Sequence, residues 1–305
     1  MSLVCQLWRE AGDPLLWARG VLKVTGENMT AVVEALADSC RLQDVRKIGV
    51  EAAVSGELLE AVARHPGLRR LDMALGDLSL VQPELLAGAL TRLEEVKMPS
   101  SGLTTLQAEA LVTAVCEGGW RLKRLDLLRT NLSTVDAGLL ARAGTSLVEV
   151  NLSVTQLTQQ QTKEIFTAVC AERSLLKTLN IAGNDLSSVE EGLLARAVDS
   201  LVEVNLDKTE LTRQQIKEIL TAICAGGSLL KTLNIDGNDL SSVEAGLLAR
   251  AVNSLVEVKL DSIKLTLEQF KAVYTTQPAR ERTEGDIQLL RSLTAHGQRI
   301  VGGGE

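Results

Sequence analysis

Histidine and cysteine, the side chains most often used in catalysis and metal binding, are few and widely spaced in this sequence. The two histidines are His65 and His296, and three of the five cysteines, Cys116, Cys170 and Cys224, follow one another at intervals of 54 residues. A metal site needs such residues at short spacings, and a catalytic site needs titratable groups that converge. No phosphate-binding or zinc-protease motif is present. We therefore predict no enzyme, no metal site and no cofactor.

The regular cysteine spacing belongs to an internal repeat. Residues 176–200 and 230–254 agree at 22 of 25 positions and differ only at 182/236, 191/245 and 199/253. Repetition at a fixed period predicts stacked structural repeats, each of which contacts only its neighbours. Cysteines in successive copies would then lie too far apart for a disulfide. We expect them to be buried free thiols.

Each repeat predicts one short strand. A register of leucines runs from Leu68 to Leu255 at spacings that alternate between 25 and 29 residues. An L-x-x-L-x-L pattern starts at each register position, and its period of two predicts a strand. The predicted strands are 22–24, 46–50, 69–73, 94–98, 123–127, 148–152, 177–181, 202–206, 231–235 and 256–260.

A helix is predicted after each strand, where the apolar period changes from two to 3.6 residues. In the 25-residue repeats we predict that Ser188 and Ser242 are the N-caps of these helices. The 29-residue repeats carry capping boxes, in which a threonine precedes a glutamine by three residues. These boxes are Thr158 with Gln161, Thr212 with Gln215, and Thr266 with Gln269.

From residue 21 to residue 277 the repeats resemble leucine-rich repeats of the ribonuclease-inhibitor type, which also alternate two repeat lengths. The resemblance implies an α/β leucine-rich-repeat solenoid, or horseshoe, with a parallel concave sheet of about ten strands and helices on the convex side. That family carries Asn or Cys after the strand, whereas only some repeats do so here, and threonine there can bond a backbone group. The residues at this position are Gly76, Ser101, Thr130, Thr155, Asn184, Thr209, Asn238 and Ile263.

Residues 3–17, LVCQLWREAGDPLLW, carry a different pattern and resemble the second half of an F-box. The resemblance places Val4, Trp8, Pro14 and Trp17 at positions that imply binding to the adaptor subunit of a cullin-type ubiquitin ligase. The first half of the pattern, an L-P-x-E helix, would precede residue 3. The alternative is that this segment only caps the first repeat.

The predicted domains are therefore an N-terminal helical cap with the F-box-like remnant at 1–20, the leucine-rich repeats at 21–277, and a C-terminal cap helix with a flexible tail at 278–305. The net charge of −7 argues against nucleic-acid binding and against an anionic membrane surface, and it favours a basic protein partner. With no signal-peptide pattern and no long apolar run, we expect a reducing, cytoplasmic location. The sequence leaves the oligomeric state open.

The candidate binding residues alternate with the core residues of the strands and should face the concave side. In the N-terminal half their charges alternate in sign, as in Arg70, Glu95, Arg124 and Glu149, and can neutralise one another. In the C-terminal half the acidic residues face mostly Thr and Asn. This surface is either a partner-binding site or only the solvated face of an acidic protein. The predicted binding residues are Glu149, Asn151, Asn180, Glu203, Asn205, Asp207, Asn234, Asp236, Glu257, Lys259 and Asp261.

These features favour a non-catalytic protein–protein interaction module that binds its partner through the concave face. Two specific hypotheses follow from the two resemblances. One is the substrate-recognition part of an F-box-type ubiquitin ligase. The alternative is an innate-immune or inhibitor-type recognition protein, similar to the repeats of NLR proteins and ribonuclease inhibitor. Self-association through a sheet edge is a third possibility.

Overall fold

The computed structural model describes residues 21–37, 45–74, 76–90, 92–117, 121–260 and 265–276. The chain packs into two compact units, the first from Met1 to Asn184 and the second from Asp185 to Glu305. The predicted segments 1–20 and 278–305 lie outside the described residues. The three predicted domain boundaries therefore stay predictions.

Strands and helices alternate through the first unit, and its seven strands are parallel and follow chain order in the sheet. The elements are β1 Val21–Val24, α1 Met29–Ala37, β2 Lys47–Val50, α2 Gly56–Arg64, β3 Arg70–Asp72, α3 Pro83–Leu90, β4 Glu95–Lys97, α4 Thr105–Glu117, β5 Arg124–Asp126, α5 Ala137–Ser146, β6 Glu149–Asn151, α6 Gln159–Val169 and β7 Thr178–Asn180.

The second unit continues the same alternation, and its three strands are also parallel and in chain order. Its elements are α7 Glu191–Ser200, β8 Glu203–Asn205, α8 Arg213–Cys224, β9 Thr232–Asn234, α9 Ala245–Ser254, β10 Glu257–Lys259 and α10 Leu267–Thr276. The ten predicted strands are confirmed, although most are shorter than predicted by a residue at each end.

The core is built from aliphatic residues that the strands and helices supply in fixed register. Each register leucine from Leu68 to Leu230 is buried, as is the central residue of each strand from β2 to β9. The helices add Leu and Val on their inner faces, and Phe166 on α6 is fully buried. Because the pattern has a period of two in the strands and 3.6 in the helices, each repeat buries one face of both elements.

A buried glutamine on four helices bridges each of these helices to the preceding repeat. The Nε2 group of Gln215 on α8 donates to the backbone oxygens of Leu186 (2.8 Å) and Val189 (2.6 Å). Its Oε1 accepts the backbone N–H of Thr212 at 2.8 Å, which completes the predicted capping box. One side chain thus satisfies two carbonyls of the turn before α7 and one helix-terminal N–H. The same three bonds are made by Gln107, Gln161 and Gln269.

The helices of the 25-residue repeats begin later than predicted. Ser188 and Ser242 lie in turns, and the N-caps of α7 and α9 are Glu190 and Glu244, whose side chains make no capping hydrogen bond. The equivalent residue of α5, Asp136, does cap, because its Oδ1 accepts the backbone N–H of Leu139 at 2.8 Å. The serine prediction was therefore wrong: the turn continues for two residues before the helix starts.

The position after each strand closes the turn with side-chain hydrogen bonds. Asn184 and Asn238 each donate from Nδ2 to the backbone of the preceding 29-residue repeat and accept a backbone N–H through Oδ1. The hydroxyls of Thr155 and Thr209 donate to backbone oxygens three residues before them, as predicted. Thr130 differs, because its buried hydroxyl has no hydrogen-bond partner among the described residues.

The described cysteines are free, as predicted, but they are only half-buried. The Sγ atom of Cys116 donates to the backbone oxygen of Leu139 at 3.3 Å, and burial raises the pKa of this thiol. Cys224 lies in the equivalent place, 3.9 Å from the backbone oxygen of Leu247. The prediction of buried thiols was therefore too strong, because each cysteine ends a helix at the edge of the core. Cys5 and Cys40 lie outside the described residues.

Candidate protein-binding surface

The outward-facing residues of the strands form two rows. We call the first residue of each strand from β3 onward the first row, and the third residue the second row. In the first unit, pairing in register aligns Arg70, Glu95, Arg124, Glu149 and Thr178 in the first row. In the second unit it aligns Glu203, Thr232 and Glu257. The predicted register is confirmed within each unit, because the core residue between the two rows fixes which side chains point outward.

Glu95 is the centre of the first-row charges in the first unit. Its Oε2 lies 3.0 Å from Nη2 of Arg124 and 3.4 Å from Nε of Arg70, and its Oε1 lies 3.5 Å from Nζ of Lys97. Burial opposes the ionisation of Glu95, whose side chain is 14% exposed, but the hydrogen bonds and charge of Arg124, with the charges of Lys97 and Arg70, outweigh it. The pKa of Glu95 therefore lies below its ordinary value.

The predicted neutralisation of the first unit is confirmed in part. The pairing of Arg70, Glu95 and Arg124 is as expected, but Lys97 turns to Glu95 on its own strand and not to an aspartate of a neighbouring strand. Asp72 instead lies 3.6 Å from Nζ of Lys47. The positive charges of this face are thus already engaged with carboxylates of the same face.

Second-row Asp and Asn residues have a structural role that sequence reasoning missed. In β7 the Oδ1 atom of Asn180 accepts the backbone N–H of Ala182, two residues further on, at 3.2 Å. Each of these Asx turns bends the chain away from the strand. The recurrence of Asp or Asn at the third strand position was the available signal. The same bond is made by Asp72, Asp126, Asn151, Asn205 and Asn234.

The second unit lacks the basic partners that the first unit provides. Glu203 and Glu257 both lie in register with Thr232, and both are exposed. Glu203 forms no ion pair with another described residue, whereas Glu257 lies 3.8 Å from Nζ of Lys259. Asn205, Asn234 and Lys259 make up the second row. The result is an acidic strand face with one nearby lysine.

Asp207 and Asp236 follow the strands of this face. The backbone N–H of Lys208 donates to the backbone oxygen of Asp236 at 2.9 Å, so the ladder continues past the strands. One carboxylate oxygen of Asp207, Oδ2, lies 3.7 Å from Nζ of Lys208. The other, Oδ1, is buried and has no hydrogen-bond partner among the described residues. The equivalent residues of the first unit, Ser153 and Ala182, are buried, so only the second unit presents charge here.

The remaining predicted site residues divide by location. Glu149, Asn151 and Asn180 lie on the strand face of the first unit, apart from the acidic face of the second. Asp261 and the predicted adaptor-binding residues Val4, Trp8, Pro14 and Trp17 lie outside the described residues. Within the described part of the chain, no three His, Cys, Asp or Glu side chains are grouped to hold a metal ion, and no helix has the length and apolar run of a membrane span.

The repeat architecture is shared with a solved structure. The leucine-rich repeat-containing protein LegL7 from Legionella pneumophila superposes with a TM-score of 0.54, covering 90% of this chain and 98% of that chain at 16% identity. The chain has the leucine-rich-repeat fold. No family model and no curated protein matches its sequence. The predicted α/β leucine-rich-repeat solenoid is thus confirmed, whereas the ribonuclease-inhibitor type and the F-box-like segment stay predictions.

Proposed function

We propose that this leucine-rich-repeat chain is a non-catalytic binding protein, and that the acidic strand face of its second unit takes basic side chains of a protein partner. The observation that carries the proposal is the register of the first row. Glu203 and Glu257 flank Thr232, a neighbour that cannot neutralise them. In the first unit, the equivalent strands place arginines on both sides of Glu95.

The spacing of the two glutamates suits one cationic side chain. Neighbouring strands lie about 4.8 Å apart, so the backbones of Glu203 and Glu257 are about 10 Å apart across Thr232. A lysine or arginine placed over the threonine can reach both carboxylates and form charge-assisted hydrogen bonds. The partner we infer therefore presents Lys or Arg from a basic surface. Because the glutamates are exposed, such binding should weaken as salt rises.

The experiment compares proteins captured from a cell lysate by the wild-type chain, by E203Q/E257Q, and by E164Q/E218Q. The last variant removes the same two charges from helices α6 and α8 and is the matched control. We expect basic proteins to be captured by wild type and control, and to be lost with E203Q/E257Q and with added salt. Capture of the same proteins by all three would contradict the proposal.

We also propose the finer role of substrate recognition in an F-box-type ubiquitin ligase, which is supported by the sequence of residues 3–17 alone. Purified ligase adaptor should then bind the wild-type chain, and W8A should abolish that binding. No binding of the adaptor to the wild-type chain would rule out this role. It would leave the alternative, an innate-immune or inhibitor-type recognition protein, which needs only the strand face.

A further inference from the structure

The helix side of the first unit contains a groove of about 580 Å³ between α3 and α4. Its apolar lining includes Ala87 from α3 and Leu106, Ala110 and Ala114 from α4. Leu106 is 67% exposed. A leucine with most of its surface in water, beside a row of alanines, is an apolar surface that a partner can bury.

The internal repeat shows that this apolar surface is a departure from the standard helix. Helix α6 is equivalent to α4, displaced by 54 residues, and carries Gln160 and Glu164 at these positions. There the Nε2 group of Gln160 donates to Oε1 of Glu164 at 2.7 Å, and the same polar pair with the same bond is present in α8. In α4 the pair is replaced by Leu106 and Ala110. The scaffold does not require these two apolar residues, because two other helices do without them.

The charge around the groove has also changed. Glu84, Glu109 and Glu117 line it, and none of the three forms an ion pair with another described residue. Glu109 stands where the equivalent helices α6 and α8 have lysine. Helices α3 and α4 together contain no lysine or arginine. The groove is therefore apolar along its floor and negative along its rim.

We propose that this groove docks an amphipathic, basic helix of a partner protein. An amphipathic helix binds between two helices by laying its apolar face into the groove. Here Leu106 and the alanines would contact that face, while the rim glutamates would meet Lys or Arg on its flanks. Glu109 and Glu117 are eight residues apart on α4, about 12 Å along its axis. Basic residues seven or eight positions apart on the partner helix match this separation.

This site is separate from the acidic strand face, because it lies on helices of the first unit and needs an apolar anchor as well as positive charge. A second copy of the chain is a less suitable occupant. The net charge is −7, so two copies repel each other, and the groove itself carries only negative charge.

The test uses a synthetic helical peptide of about 18 residues, with leucines along one face and lysines on both flanks. A control peptide has glutamate in place of every lysine. Binding is measured by fluorescence anisotropy with the wild-type chain and with L106Q/E109K. This variant installs the residues that α6 carries at the same positions, so it should fold normally, which circular dichroism checks.

We expect the lysine peptide to bind the wild-type chain, to bind L106Q/E109K about tenfold more weakly or worse, and the glutamate peptide not to bind. The strand-face variant E203Q/E257Q should bind the lysine peptide as wild type does. Equal binding to wild type and L106Q/E109K would overturn the proposal, as would loss of binding only in E203Q/E257Q. Light scattering that shows wild-type dimers, dissociated in L106Q/E109K, would also overturn it, because the occupant would then be a second copy.

Discussion

The strand faces of the two units have the same backbone but different electrostatics. In the first unit, Glu95 is surrounded by Arg70, Arg124 and Lys97, and its pKa is lowered by them. In the second unit, Glu203 occupies the same row and has Thr232 as its cross-strand neighbour. The outward rows can therefore differ while the core and the turns stay the same. What distinguishes the units is located in residues that the fold does not need.

This difference has consequences for binding. A charged group that approaches the first unit must compete with ion pairs that already exist. A cation that approaches the second unit meets Glu203 without an ion-pair partner among the described residues, and a buried oxygen of Asp207 without a hydrogen bond. The second face is therefore less satisfied on its own and has more to gain from a partner.

If the scaffold is the same in both units, then removing its bridging glutamine must cost the same in each. We expect Q161A in the first unit and Q215A in the second to lower the free energy of unfolding by about 3 kcal/mol each. Each variant leaves two buried carbonyls and one backbone N–H without their partner. Urea unfolding followed by circular dichroism measures the loss.

The matched controls are the exposed neighbours, Q160A and Q214A, which should change the free energy of unfolding by less than about 0.5 kcal/mol. A large loss in one unit and a small loss in the other would break the comparison, because the two scaffolds would then not be equivalent.

The rows themselves should respond oppositely to neutralisation. We expect E95Q to lower the free energy of unfolding by about 1 kcal/mol at neutral pH, because it breaks the contacts with Arg70, Arg124 and Lys97 in a largely buried place. E203Q should be neutral within about 0.5 kcal/mol, since Glu203 is exposed and has no ion pair to lose among the described residues.

The pH dependence tests the cause. A carboxyl group whose pKa is lowered by folding stabilises the protein above its unfolded pKa, about 4.3 for Glu, and loses this contribution as pH falls through the lower folded pKa. The difference between wild type and E95Q should therefore be constant from neutral pH to about pH 5 and shrink at lower pH. A difference that grows on acidification would show that the arginines do not stabilise Glu95.

The sequence predicted the fold well because its signals repeat. Each strand is specified by several core residues, and the 54-residue period fixes the register of both outward rows from the spacing of Leu176 and Leu230. The capping boxes at Thr158, Thr212 and Thr266 were predictable for the same reason: both partners are three residues apart in the chain.

Contacts between repeats were harder to predict. The bonds from Gln215 to Leu186 and Val189 cross 29 and 26 residues, and no local pattern indicates them. The Asn side chains predicted to bind a partner also looked free, because their bonds to the backbone two residues on depend on how the chain leaves the strand. The groove at Leu106 depends on two helices and had no signal within either one.

The smallest expected effect concerns Asp207, which the first unit replaces with Ser153. We expect D207S to raise the free energy of unfolding by about 0.5 kcal/mol, because it removes a buried carboxylate oxygen that has no hydrogen bond. The lost contact with Lys208 is long, at 3.7 Å, and that lysine is exposed, so it offsets little. The reciprocal change S153D in the first unit should be destabilising by a similar amount. Denaturant midpoints of the two variants against wild type measure both effects. A loss of stability in D207S would mean that this carboxylate supports the fold, and the second face would then be no less satisfied than the first.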